Sequence, residues 1–172
     1  MEGNEQIVNK VASSSLVTFD LEKYFEPGER ILLDIKEQLY EGLVLREKDF
    51  RAFIKNHDWS KYENKLVAIT CSTDAIVPTW AYMLLAIALK PYASRVFFGS
   101  LLELEIDIYR EALNNIEWSS FKDAKVVIKG CSKVEVPVAI YVYVVNKLLP
   151  YASSLMFGEP CSTVPLFKRP KF

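Results

Sequence analysis

The chain repeats itself, and that repeat limits the folds open to it. Shifting the sequence by 59 residues sets Arg51 on Arg110, Asn56 on Asn115 and Trp59 on Trp118. A one-residue slip then pairs Lys65 with Lys125 and Cys71-Ser72 with Cys131-Ser132. Back at 59, Val77-Pro78 falls on Val136-Pro137, Tyr82 on Tyr141, Pro91-Tyr92-Ala93-Ser94 on Pro150-Tyr151-Ala152-Ser153, and Phe98-Gly99 on Phe157-Gly158. Between Val77 and Gly99, 10 of 23 positions are identical. Shared propensities alone do not reproduce matched Trp, Cys and Pro-Tyr-Ala-Ser.

Each repeat reads helix, strand, Cys-Ser loop, helix, strand. Asp49 is an N-cap candidate before Phe50, Phe53, Ile54 and His57 at helical spacing. Lys65 to Thr70 is a nearly continuous apolar run, as in a strand covered on both faces. Val77 to Lys90 is apolar almost all round, the pattern of a helix buried on more than one side, with Pro78 suited to its first turn. Pro91 ends it, and Arg95 to Phe98 reads as a second buried strand. Leu101 to Asn115, Lys125 to Ile128, Val136 to Leu149 and a strand ending at Phe157-Gly158 renew the cycle. Strands separated by helices imply crossovers, so the expected fold is α/β, a mostly parallel sheet covered by helices.

The duplication covers about 49–99 and 108–158 of a single domain spanning 1–172. Before it lies a β-rich section, 1–48, with strands at Ser15 to Phe19, Arg30 to Ile35 and Leu39 to Leu45 around a Pro27-Gly28 turn. Ile7, Val8 and Val11 are candidate anchors of a helix or arm at the start. After the repeats comes a C-terminal tail, 159–172, whose Lys168-Arg169-Pro170-Lys171 reads as a solvated basic end.

Composition narrows the chemistry. With 21 basic and 22 acidic residues the net charge is −1, so no overall positive field draws in nucleic acid. No apolar run reaches the length of a membrane span, and the polar start lacks signal-peptide grammar. Three cysteines without a secretory signal point to reduced thiols in a cytoplasm. The lone histidine, His57, excludes multi-histidine metal motifs. Six glycines and no Walker loop, GxGxxG, CxxC or HExxH argue against the usual nucleotide and zinc sites.

All three cysteines sit in one recurring string: Cys71-Ser72 before Val77-Pro78, Cys131-Ser132 before Val136-Pro137, and Cys161-Ser162-Thr163-Val164-Pro165. In a parallel sheet every strand ends at one edge, where open α/β sheets bind ligands, so the three thiols are expected to emerge together. Three chemistries compete there. In the first, Cys71, Cys131 and Cys161 hold a metal ion or cluster (zinc, iron, copper(I) or iron–sulfur), with a fourth ligand from Asp74, Glu135, Glu159, water or a partner. Alternatively, the chain is a small-anion-binding enzyme in which Ser72, Thr73, Asp74, Ser132, Ser162 and Thr163 surround a phosphate or carboxylate at helix N-termini, with the cysteines as bystanders or a nucleophile. In the third, buried cysteines pack as small apolar groups in a structural or interaction protein, self-associating as a homodimer or binding a partner.

The strings Glu47-Lys48-Asp49-Phe50-Arg51, Cys71-Ser72 through Val77-Pro78-Thr79-Trp80-Ala81-Tyr82-Met83-Leu84, Ile128-Lys129-Gly130-Cys131-Ser132 and Gly158-Glu159-Pro160-Cys161-Ser162-Thr163-Val164-Pro165-Leu166 resemble a bacterial family catalogued as domain of unknown function 2480. The resemblance covers nearly the whole chain and carries over no catalytic residue. It implies companionship with the sulfur-mobilising machinery of iron–sulfur assembly, and hence an accessory protein handling a metal, a cluster or sulfur, with iron–sulfur assembly proteins as partners.

Overall fold

A computed structural model describes residues 16–130 and 133–170. The expected α/β architecture of parallel sheets covered by four helices is present. It is divided into two compact units: a continuous one, Glu26–Ile108, and a split one made of Met1–Phe25 with Tyr109–Phe172.

The continuous unit holds β2 (Arg30–Asp34), α1 (Glu47–Asn56), β3 (Leu66–Thr70), α2 (Thr79–Leu89) and β4 (Arg95–Phe98), with α3 (Leu101–Leu113) starting in it. Its sheet is parallel, in the order β2-β3-β4. Alternation along β3 sends Val67 and Ile69 to one face, where Leu33, Phe50, Ala81, Leu85 and Leu89 close a core. Leu66 and Ala68 go to the other, against Leu104 and Ile108 of α3.

The split unit holds β1 (Leu16–Asp20), the second half of α3, β5 (Lys125–Lys129), α4 (Val138–Leu148), β6 (Ser154–Glu159) and β7 (Ser162–Lys168). Its sheet runs β1-β5-β6-β7, parallel except for the antiparallel pair β6 and β7. Phe19 stacks on Trp118 and Tyr24, both at 5.6 Å.

Several expectations need correction. One sheet was expected; there are two, because β1 and β2, neighbours in the chain, pair with β5 and β3 respectively. Leu39 to Leu45 is not a strand. Glu41 and Gly42 take positive φ, and Tyr40 and Val44 meet in an isolated bridge across that turn. Residues 162–168, read as tail, form β7. Pro165 reads as a strand breaker, yet an edge strand tolerates it. Arg169 is likewise tied down, its guanidinium donating to Asp123 at 3.0 Å and to the Tyr151 carbonyl at 2.9 Å. The first helix starts at Glu47, with Arg46 at the N-cap and Asp49 inside the first turn. Pro78 and Pro137 stand at N-cap positions, one residue before their helices. The expected buried strand Arg95 to Phe98 is an edge, and the helix expected to be buried on several sides leaves Met83 and Ile87 in solvent. Ile7, Val8, Val11, Cys131, Ser132 and Lys171 lie outside the described residues.

His57 is the C-cap of α1 and sits among Trp59 at 4.5 Å, Phe53 at 4.8 Å and Tyr62 at 6.0 Å. Its Nε2 is buried and makes no hydrogen bond among the described residues. Burial, helped by the Lys61 charge and opposed by Asp58, holds its pKa below the ordinary imidazole value. The unfolded chain therefore takes up this proton first. The stability that depends on a neutral His57 is complete above about pH 6.5 and is lost as pH falls below it. An NMR titration of the single imidazole is expected to show a midpoint under that value, and His57→Phe to flatten this part of the stability profile.

Candidate functional site

The Cys71-Ser72 loop is built at the carboxyl end of the β2-β3-β4 sheet, as its position after a parallel strand dictates. Parallel register places Asp34, the last residue of β2, beside Thr70, the last of β3. From there the Asp34 carboxylate accepts hydrogen bonds from the Ser72 hydroxyl at 2.5 Å and the Ser72 N–H at 3.1 Å. It also caps the following 3-10 turn by accepting the Lys36 N–H at 3.1 Å. Cys71 is half-buried, its Sγ 3.7 Å from the Thr73 carbonyl and 3.5 Å from Thr73 Oγ1. Asp74 is exposed.

Partial burial works to raise the Asp34 carboxyl. The Ser72 hydroxyl, the Lys36 and Ser72 N–H groups and the Lys36 charge outweigh it, so the net direction is down. Burial, then the neighbouring Cys71 and Asp34, push the Tyr82 phenol of α2 upward, which keeps it neutral. Because the folded Asp34 value lies below the unfolded one, its contribution is present above the ordinary aspartate range and is lost as pH falls through and below it. Asp34→Ala is expected to cost about 1 kcal/mol. It should also speed alkylation of Cys71 while Cys161, in the other unit, reacts unchanged. Peptide mass spectrometry reads both rates in one sample.

The split unit has its own version. Asp20 ends β1, pairs in register with Lys129 and caps a 3-10 turn through the Glu22 N–H at 3.1 Å. Lys129 Nζ lies 3.7 Å from Asp20 and 3.5 Å from Glu159. The Glu22 carboxylate accepts the Lys133 N–H at 2.8 Å. Asp20 and Asp34 were not among the expected site residues. The signal was there: an apolar strand ending in Asp, then Leu21 or Ile35, written twice 14 residues apart.

Cys71 and Cys161 do not leave one sheet as expected: Cys71 follows β3 of the three-stranded sheet and Cys161 lies in the β6–β7 turn of the four-stranded one, while Cys131 lies outside the described residues. Cys161 and Ser162 are exposed, and Thr163 Oγ1 lies 3.7 Å from Met156 Sδ. Among the described residues no three His, Cys, Asp or Glu side chains are grouped to hold a metal ion. Glu159 is paired with Lys129, and the Asp34 oxygens accept from Ser72 and the Lys36 N–H. Glu135 instead stands on the rim of an apolar cleft.

That cleft and its counterpart are the other built features. In the split unit Tyr141 meets Phe157 edge-on at 5.6 Å, and with Val136, Val138, Val145 and Leu166 they line a cavity of about 480 Å³. In the continuous unit Tyr82 meets Phe98 edge-on at 4.8 Å, and with Thr79, Met83 and Ala86 they line one of about 450 Å³. Gly130 permits the first, since a Cβ there would stand 2.7 Å from the Tyr141 hydroxyl.

Parallel sheets with helix crossovers, an Asp-held loop after a central strand and an apolar cleft beside each sheet define an α/β protein of two compact units. No helix among the described residues is long and apolar enough to cross a membrane. The chain belongs to the family described as Protein of unknown function (DUF2480), which matches residues 5–169. No curated protein and no solved structure matches it.

Proposed function

We propose that this protein is an accessory interaction module that binds other polypeptides through the outward faces of α2 and α4. The observation that supports it is large apolar exposure at each Tyr–Phe cleft, where Val138 is 77% exposed, Phe98 62% and Met83 60%, and one helical turn from Met83 at Ile87, 69% exposed. A helix apolar all round is ordinarily enclosed, and contiguous exposed apolar groups mark interaction sites. The test compares polypeptides retained by immobilised wild type and by Val138→Glu. The expected result is a partner held by wild type and lost by a variant whose circular dichroism is unchanged. Identical retention by both, with no self-association of the wild type, refutes the reading.

A second reading keeps the cysteines at work, binding a metal, a cluster or sulfur species near Ser72, Thr73 and Asp74 and in the two other Cys-Ser loops. Its support is the Asp34–Ser72 clamp, which fixes the backbone beside a half-buried thiol. Metal and acid-labile sulfide are measured in protein purified without oxygen. Their presence, and their loss when all three cysteines become serine, is the expected result; their absence from the wild type sinks it.

A further inference from the structure

The edge of the continuous unit carries one inference further. In β4 the Arg95 N–H bonds the Lys65 carbonyl at 3.4 Å and the Gly99 N–H bonds the Ile69 carbonyl at 2.9 Å. Strand alternation then turns the Val96 and Phe98 N–H groups away from β3, to the side where β4 has no strand neighbour among the described residues. The matching strand of the split unit, β6, is occupied on that side. There β7 pairs antiparallel and brings Leu166 into the Tyr141–Phe157 cleft. The same chain thus shows what seats on such an edge.

The two edges are also finished differently. β7, which ends the four-stranded sheet, carries Pro165, Lys168 and a register shift opposite Leu155 and Met156, devices that blunt an edge. β4 reads Arg-Val-Phe-Phe and has none after Arg95. Beside it stand exposed Phe98 and Met83, and Ile87 one helical turn further along the same face of α2.

We propose that β4 pairs antiparallel with β4 of a second copy of this chain, joining two three-stranded sheets into one across a twofold axis. A twofold contact between like strands is antiparallel and self-complementary. Hydrogen bonding then limits the register by parity. Val96 and Phe98 carry the outward N–H groups, so outward residues must face one another. Of the registers that meet this, the one with Val96 facing Phe98 of the other copy and Phe97 facing itself on the axis centres the contact on the strand and pairs both outward residues within it. That register puts β-branched against aromatic side chains, a favourable cross-strand pair, and sets Arg95 opposite Gly99, with no like charges opposed. A second copy therefore supplies what the edge requires without a foreign sequence. Met83 and Ile87 of the two α2 helices then flank the new seam.

The inference rests on the interaction-module reading, and its test is separable from that one. Light scattering on the full chain, with hydrogen exchange at Val96 and Phe98, is compared with Phe98→Lys and, as a second variant on the helix, Ile87→Glu. The expected wild type has the mass of two chains with both amides slowed at least tenfold relative to the variants, which have the mass of one chain and unchanged circular dichroism. A wild type of single-chain mass at every concentration overturns the proposal, even where α4 retains a partner. So does a two-chain mass with Val96 and Phe98 exchanging as fast as in the variants. Slowing of these amides only on addition of a foreign polypeptide also overturns it, while leaving the module reading intact.

Discussion

Gly158→Ala is expected to destabilise the protein by about 2–4 kcal/mol and to release the β6–β7 hairpin. Gly158 holds φ at +119°, where an L side chain is strained, and an added Cβ would stand 2.7 Å from the Ser162 carbonyl oxygen and 3.6 Å from Thr163 Cα. Both obstacles are backbone of the strand paired to it, so relief requires β7 to move. Gly99, its counterpart 59 residues earlier, makes the control. Its φ is +143°, but a Cβ there would meet Glu103 Oε2 at 2.8 Å and Phe97 Cε1 at 2.9 Å, both side-chain atoms able to shift. Gly99→Ala is therefore expected to cost less, about 1–2 kcal/mol. Denaturant midpoints at unchanged m give the two values, and amide exchange along 162–168 should accelerate in Gly158→Ala alone. Equal losses would show that β7 does not confine Gly158.

The Phe-Gly pairs illustrate how much of the fold was legible. Local signals located β3, α2, β4, β5, α4 and β6, because their periods and Pro boundaries are written within each segment. The strand partners were not legible. β1 and β2 look alike, each an apolar run ending in Asp, and only tertiary pairing sends Leu16 to Lys125 and Arg30 to Leu66. That division into two sheets is what puts Cys71 and Cys161 after strands of different sheets. The Asp34–Ser72 clamp was hidden for the same reason, since it joins residues 38 positions apart through register alone. Pro165 masked β7, and with it Leu166, the residue that shows how an edge strand and a Tyr–Phe cleft are covered together.

Leu85→Ala is expected to cost about 2–5 kcal/mol, whereas Met83→Ala, two residues away on the same helix, should stay within about 0.5 kcal/mol. The residues around both are apolar, and α2 taken as a string predicts that all its positions are interior. The packing separates them. Leu85 is fully buried against the sheet with Ala81 and Leu89, one helical turn to either side, while Met83 projects beside Phe98. Val144, the match of Leu85 in α4, is likewise fully buried, while Val142, the match of Met83, is exposed. Truncating Leu85 removes transfer energy and leaves a cavity that a close-packed core fills poorly. Truncating Met83 removes surface that the isolated chain does not use for folding. Urea midpoints on dilute protein measure the difference. If Met83→Ala costs as much as Leu85→Ala under those conditions, the outer face of α2 belongs to the core of its own chain. A small loss on dilution that grows with protein concentration means instead that the face is satisfied by another polypeptide.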